Sequence, residues 1–159
     1  MLINKLFLCL ALSSLSNSEF QMKKDSIKTA CGMSEQIILR SSEKNLSPFV
    51  LTSMIWAESR WEGAVISNKG ACGLTQVLPK YSKYNCKELQ NPKTSIEEGS
   101  RVLSFWVKKK KDVKKALECY NSGYRCKSPK YAKQIMTKTA ILKARYLKIS
   151  KEYGSLSNE

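Results

Sequence analysis

Residues Trp56–Pro79 read WAESRWEGAVISNKGACGLTQVLP, and this stretch decides how the rest of the chain is interpreted. It begins inside an amphipathic helical pattern and then becomes rich in small residues around Gly70 and Gly73. Glycine lets the backbone approach another segment or a ligand closely. Ser67 and Gln76 bracket this turn with polar side chains. The stretch therefore predicts a helix followed by a polar turn whose backbone lies close to another segment or to a ligand.

The helix in this stretch carries a carboxylate in an unusual place. Leu51, Met54 and Ile55 fall on one face at helical spacing, and Glu58 closes the same apolar stripe. Desolvation disfavours the charged form, so we expect the pKa of Glu58 to be raised and the carboxyl to be protonated near neutral pH. That property suits a general acid. The ordinary alternative is a solvated glutamate, or one that pairs with Arg60.

Three motifs in the chain resemble those of a known enzyme family. The pattern ES…SxxGAxGLxQ…P within Glu58–Pro79 resembles the active-site signature of the soluble-type lytic transglycosylases, which share a lysozyme-like fold with goose-type lysozyme. Tyr120–Gly123 (YNSG) resembles the family's Tyr-Asn-x-Gly motif, and Asn91–Gly99 resembles its Asp/Asn-Pro…Asn-Ile-x-x-Gly element. These motifs occur in the family's order over Leu46–Ile135. Ser95 and Thr75 depart from the family's usual asparagine and methionine.

The resemblance implies a mostly α (α+β) fold, a lysozyme-like single domain with a small β element beside the catalytic helix. The length of 159 residues suits one domain. Hydrophobic periodicity predicts a helix over residues 25–45, another from Pro48 to about Trp61, and strand-like runs only at 65–66 and 74–77. Pro79–Leu89 is expected to be a short polar helix or loop.

Further helices are expected in the second half of the chain. Thr94 or Ser95 is predicted to begin one of them through a capping box, and Gly99 within it predicts a close crossing with another helix. Asp112 should cap the next helix and Gly123 should end it. The last helix is expected to start at Ser128-Pro129, with Tyr131, Ile135, Leu142, Tyr146 and Ile149 facing inward.

The chemistry that the resemblance implies needs one carboxyl group. Glu58 would protonate the oxygen between N-acetylmuramic acid and N-acetylglucosamine, then accept the proton of the muramoyl 6-hydroxyl as it closes onto C1. The product would be a 1,6-anhydro sugar. Ordinary glycosidases use two carboxylates, but neither Glu62 nor Asp112 matches a second carboxylate of the family. The chain has no histidine and no Cys-x-x-Cys, which argues against a zinc site, and no cofactor is expected.

Four further residues take substrate-binding roles from the resemblance. Ser67 matches a serine whose hydroxyl neighbours the catalytic glutamate and the substrate, and Gln76 matches a polar residue on the floor of the cleft. Tyr120 matches the tyrosine that forms a hydrogen bond near the catalytic carboxyl, while Asn121 is expected to brace its loop. Each also has an ordinary interpretation, in the core for Tyr120 and at a turn for Ser67.

The amino terminus has the layout of a secretory signal peptide: a positive start, an apolar run over residues 6–15, then small residues. We expect residues 1–18 to be the signal, 19–153 the transglycosylase domain and 154–159 a flexible tail. Of the six cysteines, Cys9 would be lost with the signal. Export to the periplasm or cell envelope would favour disulfides among the rest, and Cys31 with Cys86 and Cys119 with Cys126 are the expected pairs.

The net charge is +15, from 28 basic and 13 acidic residues. Such an excess favours anionic partners. The densest basic cluster is at Lys108, Lys109, Lys110 and Lys111, which predicts attachment to an anionic cell envelope; a solvated surface is the plain alternative. Aromatic residues do not alternate regularly with these lysines, so a nucleic-acid groove is only weakly supported.

Three functions remain open at this point. The first is a lytic transglycosylase that acts on peptidoglycan glycan strands, in a small form that would work with a phage particle or a secretion machine. The second is a hydrolytic lysozyme on the same fold. The third is a cationic module without activity that binds the wall or nucleic acid through its lysines.

Overall fold

The computed structural model describes residues 3–154, and this part of the chain is mostly helical, as predicted. The helices are α1 (Lys5–Leu15), α2 (Lys24–Gly32), α3 (Ser34–Lys44), α4 (Pro48–Ser59), α5 (Cys86–Leu89), α6 (Pro92–Lys110), α7 (Val113–Ser122) and α8 (Pro129–Gly154). Short 3₁₀ turns occupy Pro79–Tyr81 and Gly123–Arg125. The predicted single helix over residues 25–45 is two helices, α2 and α3, which meet at Met33.

Helix α4 lies at the centre of the core. Pro48 starts it, and every side chain from Phe49 to Trp56 is buried. Leu51, Met54 and Ile55 are fully buried, as their spacing predicted. Burial of such a side chain contributes about 1.5–3 kcal/mol. The helix is therefore held on all sides, and its C-terminal end is fixed in space.

Helix α8 packs against α4 and α1 and supplies a second wall of the core. Ile135, Leu142, Tyr146 and Ile149 are buried along it, which confirms the predicted inward stripe. The Tyr146 hydroxyl accepts a hydrogen bond from the backbone N–H of Asn4 at 2.8 Å. The start of the chain is thereby tied to the last helix.

The segment predicted as a signal peptide forms α1 in this structure. Leu8, Ala11 and Leu12 are fully buried in the main core, and Cys9 forms a disulfide with Cys31 of α2. Removal of residues 1–18 stays a prediction; it would take α1 away and leave Cys31 without its partner. In the predicted tail, Gly154 is the last residue of α8 and residues 155–159 lie outside the described part of the chain. No helix within residues 3–154 is both long and apolar enough to cross a membrane.

The other two disulfides hold the cleft-forming segments. Cys119–Cys126 spans the turn after α7, as predicted. The predicted pair of Cys31 with Cys86 is wrong, because α2 packs beside α1 while Cys86 at the start of α5 lies against the turn that carries Cys72. Cys72–Cys86 therefore closes that turn.

Local expectations for the second half need two corrections. Helix α6 starts at Pro92, because the Asn91 side chain accepts hydrogen bonds from the Lys93 and Thr94 N–H groups, so the predicted capping box at Thr94 or Ser95 is wrong. Gly99 does allow a close approach, but to the Thr75 side chain rather than to another helix. Asp112 caps α7 as predicted, through the Lys115 N–H.

The small β element predicted beside the catalytic helix consists of two isolated antiparallel bridges, Ile66 with Cys72 and Cys72 with Val77. They fold the glycine-rich turn back on itself. Gly73 has a positive φ of 76°, and a Cβ there would collide with the Leu89 backbone, so only glycine fits. This turn is thereby pressed against α5 and α6.

Candidate active site

A cleft of about 1020 Å³ opens beside the C-terminal end of α4. Its walls come from the end of α4, the glycine-rich turn, one face of α6, and the end of α7 with the loop that follows. Glu58, Ser67, Gln76, Tyr120 and Asn121 all line it. The fold therefore brings together the five site residues that the sequence analysis selected.

Glu58 projects into the cleft because α4 ends directly after it. Arg60 and Trp61 both adopt left-handed backbone conformations, with φ of 53° and 66°, which stops the helix. Ser59 is buried; its hydroxyl donates to the Ile55 carbonyl and accepts from the Trp61 N–H, both at 3.2 Å. Ser59 thus stabilises the turn that ends the helix, and Glu58 is the residue of this turn that faces the cleft.

The Glu58 carboxyl is partly buried, and among the described residues its side-chain partner is Tyr131 of α8, whose hydroxyl donates a hydrogen bond to Oε1. Burial raises the pKa of Glu58 to about 7, and the hydrogen bond from Tyr131 opposes that rise. A carboxyl with such a pKa is protonated in a large fraction of molecules at neutral pH. It can therefore deliver a proton and afterwards take one back.

Two tyrosines surround this carboxyl as neutral phenols. Burial, and then the charge of Glu58, raise the pKa of Tyr131 and of Tyr120 well above the usual range. The Tyr120 hydroxyl donates to the Thr75 carbonyl at 2.8 Å, whereas the direct bond to Glu58 comes from Tyr131. Tyr120 therefore links α7 to the glycine-rich turn, and Tyr131 orients the carboxyl.

The glycine-rich turn is fixed by side chains as well as by its glycines. The Ser67 hydroxyl accepts the Ala71 N–H at 3.0 Å, and the Gln76 amide donates to the carbonyls of Val65 and Gly73 at 3.1 and 2.9 Å. Ser67 and Gln76 are both partly exposed at the cleft surface. These bonds hold the turn in one conformation, so that the two side chains face the cleft in fixed positions.

The two departures from the family pattern contact each other. The Thr75 hydroxyl donates to the Ser95 carbonyl at 2.8 Å, and the Ser95 hydroxyl accepts the Thr75 N–H at 3.1 Å. Both residues are fully buried, and Gly99 leaves the room for Thr75. Ser95 and Thr75 thus join α6 to the turn at the floor of the cleft.

Asn121 lies at the exposed rim on the loop closed by Cys119–Cys126. Its side-chain oxygen accepts the Ser128 hydroxyl at 2.8 Å, so it joins the end of α7 to the start of α8. That contact agrees with the bracing role expected for it.

The charges around the cleft are mostly positive. Among the lining residues, all within the described part of the chain, Glu58 is the only carboxylic acid, and the basic residues of the lining are Lys69, Arg101 and Arg125. Arg101 is held by the buried Glu98, at 2.7 and 2.9 Å. Glu62, the nearest acidic residue in sequence, pairs with Lys23 at 2.9 Å and does not line the cleft. The site therefore has one carboxyl and a cationic surround.

Tyr131 is the site residue that sequence reasoning missed. Its place on the apolar stripe of the last helix indicated a core residue, and its side chain is indeed partly buried. The available signal was a hydroxyl on that stripe, since a buried tyrosine hydroxyl needs a hydrogen-bond partner.

The chain was compared with known proteins. The family model described as Transglycosylase SLT domain matches residues 35–149, which is well over half of the chain. The matched range starts in α3, runs through every segment that lines the cleft and ends within α8. No curated protein matches the chain.

Proposed function

The chain belongs to the Transglycosylase SLT domain family, whose substrate is peptidoglycan, and from that premise we propose that it is a lytic transglycosylase. It cleaves the β-1,4 bond between N-acetylmuramic acid and N-acetylglucosamine and releases a 1,6-anhydro-N-acetylmuramic acid end. The observation that carries this proposal is a single carboxyl of raised pKa, Glu58, in a cleft whose lining holds no second acid among the described residues.

In the first step, protonated Glu58 donates its proton to the glycosidic oxygen, the bond from that oxygen to C1 of the muramoyl sugar breaks, and the N-acetylglucosamine side leaves as an alcohol. Positive charge develops on the muramoyl ring. In the second step, the Glu58 carboxylate takes the proton of the 6-hydroxyl while that oxygen bonds to C1. Glu58 ends the cycle protonated and no water is consumed.

A pKa of about 7 suits both steps, because the acid form and the base form are nearly equal in free energy at neutral pH. The nucleophile is held within the substrate itself, so the attack is intramolecular and benefits from proximity. Hydrolysis by either glycosidase route would instead need a second carboxylate, which acts as the base for water in inverting glycosidases and as the nucleophile in retaining ones. Glu62 does not supply it, since it pairs with Lys23 away from the lining.

The neighbouring side chains position the reactants. Tyr131 orients the Glu58 carboxyl so that one oxygen faces the substrate. Ser67, Gln76 and Asn121 offer polar groups to the sugar hydroxyl and N-acetyl groups. Tyr120 shapes the floor through its bond to the Thr75 carbonyl.

The site of action proposed for the protein is outside the cytoplasm, in the periplasm or cell envelope. The signal-like amino terminus supports export. Two disulfides that do not involve this segment, Cys72–Cys86 and Cys119–Cys126, are typical of an oxidising compartment. Lys108 to Lys111 are proposed to attach the protein to the anionic envelope through charges at the end of α6.

The product decides the function. Purified peptidoglycan digested by the protein should give muropeptides that end in 1,6-anhydro-N-acetylmuramic acid, each lighter by one water than its hydrolysed counterpart, as read by mass spectrometry. Glu58→Gln should lower the rate at least a hundredfold while the protein stays folded. Products with reducing ends would make the protein a hydrolytic lysozyme, and unchanged activity in Glu58→Gln would remove the catalytic assignment.

A further inference from the structure

A group of three aromatic rings borders the cleft at residues that the proposed mechanism does not use. Trp106 is almost fully buried and contacts Phe105 at a ring-centroid distance of 5.0 Å and Tyr124 at 5.1 Å, in edge-to-face geometry. Phe105 is 46% exposed and Tyr124 is 75% exposed. The buried Trp106 ring thus supports the Phe105 and Tyr124 rings, which present apolar surface to solvent inside the cleft. That exposed surface does not stabilise the core.

A lysine completes this group. The Lys109 ammonium lies 4.6 Å from the Tyr124 ring centroid and 5.6 Å from that of Phe105, within the range of cation–π attraction. These contacts place the charge of the exposed Lys109 beside the two exposed rings. We name Phe105, Trp106, Tyr124 and Lys109 together the aromatic platform.

Phe105, Trp106 and Tyr124 line the same cleft as Glu58, and Lys109 is joined to them through its contacts with the two exposed rings. Arg101, Val102, Phe105 and Trp106 line the cleft from successive turns of one face of α6. The cleft therefore follows this helix. Phe105 comes ten residues after Ser95, the residue of α6 that is bonded to Thr75 in the floor, which corresponds to about 15 Å along the helix. A glycan strand laid along α6 would place a different sugar ring on the platform from the ring at Glu58.

Resting on the proposed function, we propose that the aromatic platform is a glycan subsite that selects a sugar ring bearing a carboxylate substituent, as muramic acid does through its lactyl group or attached peptide. The apolar face of a pyranose ring packs on an exposed aromatic ring, which removes both surfaces from water. Lys109 stands beside those rings, where it can pair with a carboxylate on the sugar's edge. Lys69 and Arg125 add positive charge to the lining of the cleft, which complements an acidic strand.

The test measures binding without cleavage, in the full chain carrying Glu58→Gln. Two probes are titrated while tryptophan fluorescence is followed, since Trp106 is part of the platform. One probe is a tetrasaccharide of alternating N-acetylglucosamine and N-acetylmuramic acid with free lactyl carboxylates. The other is the neutral tetramer of N-acetylglucosamine. Binding of the acidic probe by Glu58→Gln should be tighter than binding of the neutral probe and should weaken with added salt.

Four further changes in that background separate the contributions. Tyr124→Ala should weaken binding of both probes about tenfold, since one stacked ring is worth on the order of 1–2 kcal/mol, and Tyr124→Phe should restore it. Lys109→Ser should weaken only the acidic probe, about threefold to fivefold. Lys114→Ser is the matched control; it removes an exposed lysine of α7 that does not line the cleft, and it should change neither affinity.

Equal affinity of Tyr124→Ala and its parent would overturn the subsite, and equal effects of Lys109→Ser and Lys114→Ser would overturn its selectivity for carboxylates. The failure of the proposed function looks different: it would appear in the digestion products of the wild-type protein, whatever the titrations give. Because Tyr124 is mostly exposed, its replacement should leave the unfolding temperature unchanged, and the Phe variant checks the loss of the ring itself.

Discussion

Tyr131 of α8 donates a hydrogen bond to Glu58 of α4, and the two residues are 73 positions apart in the sequence. The proposed general acid is therefore oriented by a helix that also packs against α1. The two helices form the largest helix–helix contact of the core. The orientation of the carboxyl thus depends on the packing of the whole domain rather than on local sequence.

Tyr131→Phe should displace the pH dependence of cleavage in a defined direction. The hydrogen bond lowers the pKa of Glu58, so its loss should raise that pKa further above about 7. The alkaline limb of the pH–rate profile, where the acid loses its proton, should then move to higher pH. The maximal rate should drop about tenfold, since one oriented hydrogen bond is worth on the order of 1–1.5 kcal/mol.

The control for this variant is Tyr120→Phe, which keeps the Tyr131 bond and removes the one to the Thr75 carbonyl. It should lower activity without moving the alkaline limb. An alkaline limb that moves to lower pH in Tyr131→Phe would contradict the role given to this hydrogen bond.

The raised pKa of Glu58 also predicts a pH dependence of stability. The folded value is about 7 against an ordinary 4.5. The stabilisation from the protonated carboxyl is fully present below pH 4.5 and is lost as pH rises to about 7, because the unfolded state releases this proton first. Between pH 4 and pH 8, the wild type should therefore lose up to about 3 kcal/mol of unfolding free energy relative to Glu58→Gln. The glutamine variant is thus favoured at high pH.

Urea unfolding at the two pH values measures this difference without any substrate. Glu62→Gln is the matched comparison, because it removes a carboxylate that is 39% exposed and lies outside the cleft lining. If both glutamine variants change equally with pH, the effect does not come from the buried position of Glu58.

Gly99→Ala should destabilise the floor of the cleft. The added methyl group would collide with the Thr75 side chain, which is bonded to Ser95 and cannot move away freely. Overpacking of this kind costs about 1–3 kcal/mol. Gly32→Ala, where nothing lies within 4 Å of the new methyl group, should be neutral or slightly stabilising. Thermal unfolding of the two variants gives the comparison, and equal melting temperatures would contradict the tight contact.

Loss of the Cys119–Cys126 disulfide should loosen the loop that carries Asn121 and Tyr124. The double change to serine should lower the free energy of unfolding by about 2–3 kcal/mol in the chain-entropy view. Binding of an oligosaccharide should weaken more than stability alone explains, since the cleft rim becomes mobile. Chemical denaturation and the titration described above measure the two effects. If the double serine variant stays folded and binds the oligosaccharide with unchanged affinity, the disulfide does not hold the rim.

Most of the cleft residues could be predicted because each sequence pattern that identifies them spans only a few neighbouring residues. The spacing of Leu51, Met54 and Ile55 placed Glu58 at the end of a buried helix, and the glycine pattern marked the turn opposite it. The start of α6 was misjudged, since the Asn91 side chain could cap the helix as well as Thr94 or Ser95 could, and only the backbone geometry decides between them.

The Tyr131 contact and the disulfide partners were out of reach for another reason. Both depend on which helices pack together over long sequence separations. Cys31 pairs with Cys9 because α1 and α2 are neighbours, and an apolar amino-terminal run does not by itself reveal that it packs as a core helix. The same limit applies to Phe105 and Tyr124, which lie in different elements and are linked through Trp106 and Lys109.

The Cys9–Cys31 disulfide keeps α1 attached to the rest of the protein even if the peptide backbone after α1 is cut. A peptidase that cut the chain near Ser18 after oxidation would not release the helix; it would leave two polypeptides joined by one covalent bridge, with Leu8 and Leu12 still in the core. The same cut before oxidation would leave a single chain with an unpaired thiol at position 31. The mass of the product before and after reduction therefore shows whether cleavage or disulfide formation came first.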